Sequence, residues 1–96
     1  MSVLRLTRLT VDADRADEML LRRAALIEAV RGMTDGLTDT RLARVDEETW
    51  LDVWRWDSGE ALDEVAATAP TLQVAQAAFA VVRDAQVERY ELVDER

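Results

Sequence analysis

The sequence predicts an α+β domain of β-α-β-β-α-β order, and three observations point there. Four short stretches rich in β-branched residues and leucine are separated by segments of helical periodicity. The connections between them are brief, with one proline and three glycines in the whole chain. The 96 residues, 49% of them hydrophobic, suit one core and a single domain, residues 1–96.

The elements follow in order. Residues 3–11, Val-Leu-Arg-Leu-Thr-Arg-Leu-Thr-Val, read as the first strand. Asp12 and Asp14 then offer N-caps for a helix over 13–31, with an apolar stripe of Ala16, Leu20, Ala24, Ile27 and Val30. Gly32 is placed to end it, and Thr34-Asp35-Gly36 continues as a loop. Residues 37–45 and 49–56 are two further strands joined through Asp46-Glu47-Glu48; paired glutamates fit poorly in a two-residue turn that needs positive φ twice. Asp57 with Glu60 has a capping-box spacing and opens a helix to about residue 67. Pro70 interrupts the pattern and suits the first turn of a second helical segment, 71–82. Residues 87–93 form the last strand.

This order is the split βαβ, ferredoxin-like arrangement: a four-stranded antiparallel sheet with its helices on one face. The chain has nothing left to cover the other face, so pairing with a second copy into a homodimeric α/β barrel is expected.

Composition excludes several chemistries. There is no Cys and no His, and every one of the twelve basic residues is Arg. Thiolate metal sites, imidazole bases and lysine Schiff bases are therefore out of reach, and neither a metal nor a cofactor is expected. A formal charge of -8 argues against nucleic-acid partners and anionic membrane surfaces. No apolar run approaches the roughly 20 residues of a membrane span and no signal peptide is apparent, so the expected location is cytoplasmic. The acidic first turn Asp12, Asp14, Asp17 and Glu18 suits a helix dipole rather than a metal ion.

The chemically richest segment is the third strand, with Trp50, Trp54 and Trp56 at alternating positions. If a four-residue loop closes the hairpin, Val45 lies opposite Trp50, Ala43 opposite Asp52 and Arg41 opposite Trp54. One face then carries the three indoles with Asp52, Arg41, Ala43 and Val45, and the other carries Leu51, Val53, Arg55, Leu42 and Arg44. The indoles are either core and dimer-interface residues or the wall of a pocket for a flat organic ligand oriented by Arg41 and Asp52. Thr7 and Tyr90 are further candidates for ligand contact, each with a plain structural alternative. Arg5 and Arg89 fall on strands that are neighbours in this fold, where they either bind an anionic group or are simply exposed. Met19 and Met33 look like helix-face filler.

The layout, the segment Trp50 to Ser58 (Trp-Leu-Asp-Val-Trp-Arg-Trp-Asp-Ser) and Arg8-Leu9-Thr10 resemble the antibiotic biosynthesis monooxygenase superfamily. The resemblance implies a small-molecule pocket, and cofactor-independent oxidation of an aromatic or polyketide-like substrate. It places Trp56 in the pocket wall and Asp52 where those oxygenases have an Asn. An amide donates to an oxyanion; an ionised carboxylate repels one unless burial keeps it protonated. The family's pocket Tyr and Arg correspond to Leu62 and Gln76. The haem-degrading branch has an Asn, a Trp and an axial His where this chain has Thr7, Val65 and Ala75, which implies a different activity.

Three function classes stay open: a cofactor-free monooxygenase with Asp52 as proton acceptor and Trp56 beside it, a cyclase or isomerase of the same fold, and a non-catalytic binding or assembly subunit.

Overall fold

A computed structural model describes residues 1–96. Strand β1 (Val3–Thr10) leads through a 3₁₀ turn, Ala13–Arg15, into helix α1 (Ala16–Met33). The hairpin β2 (Leu37–Arg44) and β3 (Thr49–Trp56) follows. Helix α2 (Gly59–Thr68), a 3₁₀ turn (Ala69–Thr71) and helix α3 (Gln73–Ala80) return the chain to strand β4 (Asp84–Glu91). The sheet order is β2-β3-β1-β4, antiparallel throughout, with the helices on one face. The expected α+β arrangement is therefore present, with the second helical region split at Pro70 as the sequence indicates.

The strand faces are set by pairing. β1 lies opposite β3 with Arg5 against Trp54, Thr7 against Asp52 and Leu9 against Trp50. Odd-numbered β1 residues and even-numbered β3 residues thus share the helix-covered face. The β2–β3 hairpin differs from expectation by one residue: Arg44 lies opposite Trp50, Leu42 opposite Asp52 and Thr40 opposite Trp54. Asp46 is the cause. Its carboxylate accepts the backbone N–H groups of Glu48 (3.0 Å) and Thr49 (2.8 Å), and Val45 N–H donates to Thr49 O at 2.8 Å. The loop spans one residue more than a simple type I closure, and a one-residue change exchanges the faces of β2. Arg41, Ala43 and Val45 leave the tryptophan face, and Leu42 and Arg44 join it.

The same hydrogen bonds hold the Asp46 carboxyl below its ordinary value, the Glu48 N–H foremost. A lowered folded-state pKa stabilises the loop above the unfolded value and loses that contribution as pH falls through the folded value.

Caps and boundaries also shift. The N-cap of α2 is Ser58, not Asp57: the Ser58 hydroxyl accepts from Ala61 N–H at 3.1 Å. Asp12 makes no cap bond; it accepts from Arg83 at 2.7 Å, fastening the start of α1 to the entry of β4. Gly32 lies inside the last turn of α1, which runs to Met33. Gly36 has the steric role instead, because a Cβ there would stand 2.5 Å from that of Ala61. Strand β4 begins three residues earlier than expected, since Asp84-Ala85-Gln86 is drawn into pairing along the full length of β1 despite weak strand propensity.

The core forms two clusters at opposite ends of the covered face. Val3, Ile27, Val30, Leu37, Trp54, Trp56, Leu62 and Val65 make one. Leu9, Val11, Met19, Trp50 and Val81 make the other. The buried stripe of α1 is therefore Met19, Ile27 and Val30, while Leu20 and Ala24 face outward. On the uncovered face Leu4, Leu6, Leu51 and Val53 are half-buried, and no element of the chain lies across them.

Replacing Ser58 by Ala should lower stability by about 1 kcal/mol, the usual worth of an N-cap. Asp57→Ala should cost less than half of that. Urea midpoints of the two variants decide which residue caps α2.

Candidate active site

A polar layer separates the two core clusters. Asp52 on β3 is 8% exposed and points at the helices. Arg23 on α1 meets it in a two-pronged ion pair, Nε to Oδ2 at 3.1 Å and Nη2 to Oδ1 at 2.9 Å. Trp54 Nε1 donates to Oδ1 at 2.9 Å. Three N–H groups thus converge on one carboxylate, which offers about four acceptor positions. One position, on Oδ2, remains. A planar guanidinium fork matches a carboxylate in this way, which is how an ion pair survives among apolar side chains.

Beside this pair the sheet and helices enclose a cavity of about 140 Å³. Its floor is Arg5, Thr7, Asp52, Trp54 and Trp56, its roof comes from α1, α2 and α3, and Pro70 and the half-exposed Phe79 stand at the edge. A dry cavity of roughly 150 Å³ accommodates benzene, so the enclosed part takes about one aromatic ring. Asp52 is the sole carboxylate in the lining. Trp56 is 1% exposed, and its Nε1, like that of Trp50 in the other core cluster, is buried without a hydrogen-bond partner. The Trp54 and Trp56 rings are tilted at 33° with centroids 6.4 Å apart, forming one aromatic wall. Burial pulls the Arg5 guanidinium below its ordinary pKa, and the nearby Asp52 charge works in the opposite direction.

Of the residues singled out from the sequence, Asp52, Trp56, Thr7, Trp54 and Leu62 all line this cavity. Arg41, Gln76 and Tyr90 do not. Arg41 is on the opposite face, bonded to Asp39 at 3.0 Å, because the hairpin register moves it there. Gln76 is exposed on α3, where the neighbouring Ala75 takes the buried position. Tyr90 lies on the uncovered side of β4, and its hydroxyl donates to Glu88. Trp50 belongs to the second core cluster, with Arg44 stacked 4.8 Å over its ring. Arg5 and Arg89 are cross-strand neighbours as expected, but Arg89 turns to Asp63 on α2 at 2.6 Å.

Arg23 and Met19 were not among the expected site residues. The signal was present: Met19, Arg23, Ile27 and Val30 recur at helical spacing, one residue out of phase with the stripe read from Leu20 and Ala24. An arginine inside an apolar stripe demands a buried acid, and Asp52 is that acid.

The architecture matches known structures closely. A cofactor-independent oxygenase from Streptomyces nogalater superposes with a TM-score of 0.74 over 98% of this chain and 95% of that one, at 17% identity. An antibiotic biosynthesis monooxygenase superposes with a TM-score of 0.72 over 96% and 99%, at 19% identity. The chain has the antibiotic biosynthesis monooxygenase fold. A heme-degrader from Mycobacterium tuberculosis, solved with two hemes in its active site, shares that fold too, with a TM-score of 0.72, 25% identity and 98% of both chains covered. No family model and no curated protein sequence matches.

Within the monooxygenase fold this chain's cavity is a poor fit for haem. Thr7, Val65 and Ala75 all line it, and of the three only Thr7 carries a polar side-chain atom.

Breaking the ion pair from one side should be costly. Arg23→Met leaves Asp52 buried and unpaired, with an expected loss of about 3 kcal/mol in unfolding free energy. The double variant Arg23→Met/Asp52→Leu should recover most of that loss in urea titrations.

Proposed function

We propose that the chain is a cofactor-independent monooxygenase for a small hydroxylated aromatic or β-dicarbonyl compound. The observation that carries this reading is the cavity itself: an apolar, aromatic-walled chamber of one-ring size with a single carboxylate, Asp52. The likeness to a cofactor-independent oxygenase supports it at the level of the fold.

In this reading the substrate is activated by its own carbonyl or phenol groups. Asp52 accepts a proton from an active methylene through the vacant position on Oδ2. The carbanion transfers electrons to O₂ and a carbon–oxygen bond forms, giving a hydroperoxide once a proton is returned. Loss of water then leaves a carbonyl. One oxygen atom enters the product, the other leaves as water, and no external reductant is consumed. Arg23 holds Asp52 in place beside the cavity, and the Trp56 ring walls the chamber in which the substrate lies.

A second reading has its own support. Three of the acceptor positions on Asp52 are already filled, an arrangement that also suits a purely structural carboxylate in a ligand-binding subunit. Oxygen uptake separates the readings. Metal-free protein given a phenol-activated methylene compound under air should consume one O₂ per product, and Asp52→Asn should lower kcat by about 10²–10⁴-fold. Turnover without oxygen uptake would point to a cyclase or isomerase, and a bound but unaltered ligand to a binding subunit.

The proposal includes a homodimer. Leu4, Leu6, Leu51 and Val53 form an apolar strip on the outer sheet face that a second copy would cover. Sedimentation equilibrium at micromolar concentration should give about twice the 10.8 kDa chain mass; a monomer would contradict this packing.

A further inference from the structure

Arginine is the only basic residue type in this acidic chain, and eight of the twelve arginines reach an acidic side chain. Arg5 is not among them. It is half-buried at the middle of the sheet, on the helix-covered face, and it lines the cavity. Its cross-strand neighbours give it no acceptor: Trp54 lies on one side, and Arg89 on the other is committed to Asp63. Asp52 is near enough to act on its charge but is bonded to Arg23 and Trp54. Burying a guanidinium without a fixed counter-ion is expensive, so the site is complete only when an acceptor is supplied from elsewhere.

Two further features, the charge balance and the walls, specify that acceptor. The charges lining the cavity are two guanidiniums against one carboxylate, leaving a local excess of one positive charge in a chain whose net charge is -8. The Trp54 and Trp56 rings form an aromatic wall on the strand next to Arg5. The remaining walls are apolar: Leu26, Val30, Leu62 and Val65 fill the side away from the sheet.

We propose that the cavity selects an aromatic carboxylate, a single ring held among the apolar walls with its carboxylate on the Arg5 fork. The planar, two-pronged geometry of a guanidinium favours a carboxylate over a single-atom anion. A neutral ligand of the same shape leaves Arg5 desolvated and unpaired, and that penalty sets the discrimination. The proposal rests on the reading of this cavity as a small-molecule site, but needs no reaction at it.

Calorimetric titration with benzoate and with benzamide, which differ in charge but hardly in shape, tests this apart from any turnover. The wild-type protein should bind benzoate about tenfold or more tightly than benzamide. Arg5→Met should abolish that preference while keeping the affinity for benzamide, and Arg5→Gln, which keeps a polar tip, should do the same. Unfolding midpoints of both variants confirm that the loss is local. Equal affinity for the two probes, no measurable binding of either at millimolar concentration, or a benzoate preference that survives in a folded Arg5 variant would each overturn the proposal. Oxygen uptake is a separate measurement, so a chain that binds benzoate selectively yet oxidises nothing would refute the monooxygenase reading alone.

Discussion

The ion pair between Arg23 and Asp52 is the constraint on which the rest of the covered face depends. It joins the middle of α1 to the middle of β3 and places a carboxylate where a core of this size would otherwise be continuous hydrocarbon. The two apolar clusters lie on either side of it because neither can pack over a charged pair without removing its remaining polar contacts. The cavity is open at the same level. A layer built from a guanidinium fork, a carboxylate and an indole N–H is stiff and directional, and aliphatic side chains cannot slide in to fill the space beside it. Stability and the site therefore draw on the same residues.

That sharing shapes what the site can do. Asp52 is immobilised by three donors, so its vacant position on Oδ2 has a fixed direction. Preorganisation of this kind serves a group that must meet a reacting atom, and it serves equally a group that orients a ligand. Arg5, a donor that Asp52 does not consume, lines the same cavity.

The hairpin shows how one residue redirects a functional reading. Counting back from Trp50 through a simple loop puts Arg41 beside Trp54, a plausible partner for Asp52. The Asp46 carboxylate captures two backbone N–H groups and adds a residue to the loop, and Arg41 ends on the far side of the sheet. The counter-ion of Asp52 comes from α1 instead, 29 positions away in sequence. Gln76 and Tyr90 were displaced for related reasons: a one-residue phase on a short helix, and the facing of an edge strand. Positions inherited from the β3 segment, Asp52, Trp54 and Trp56, kept their places because strand alternation is unambiguous over eight residues.

The sequence by itself determined the order and type of the elements, the common face of Asp52, Trp54 and Trp56, and the absence of imidazole, thiol and amine chemistry. These follow from local periodicity and residue identity, which need no knowledge of distant contacts. Only the tertiary structure decided that the tryptophan face turns toward the helices, that Arg23 rather than Arg41 neutralises Asp52, and that Arg5 is left without a partner. Each of those depends on a register or a helix phase, where a shift of one residue exchanges inside for outside and local preference is nearly indifferent to the choice.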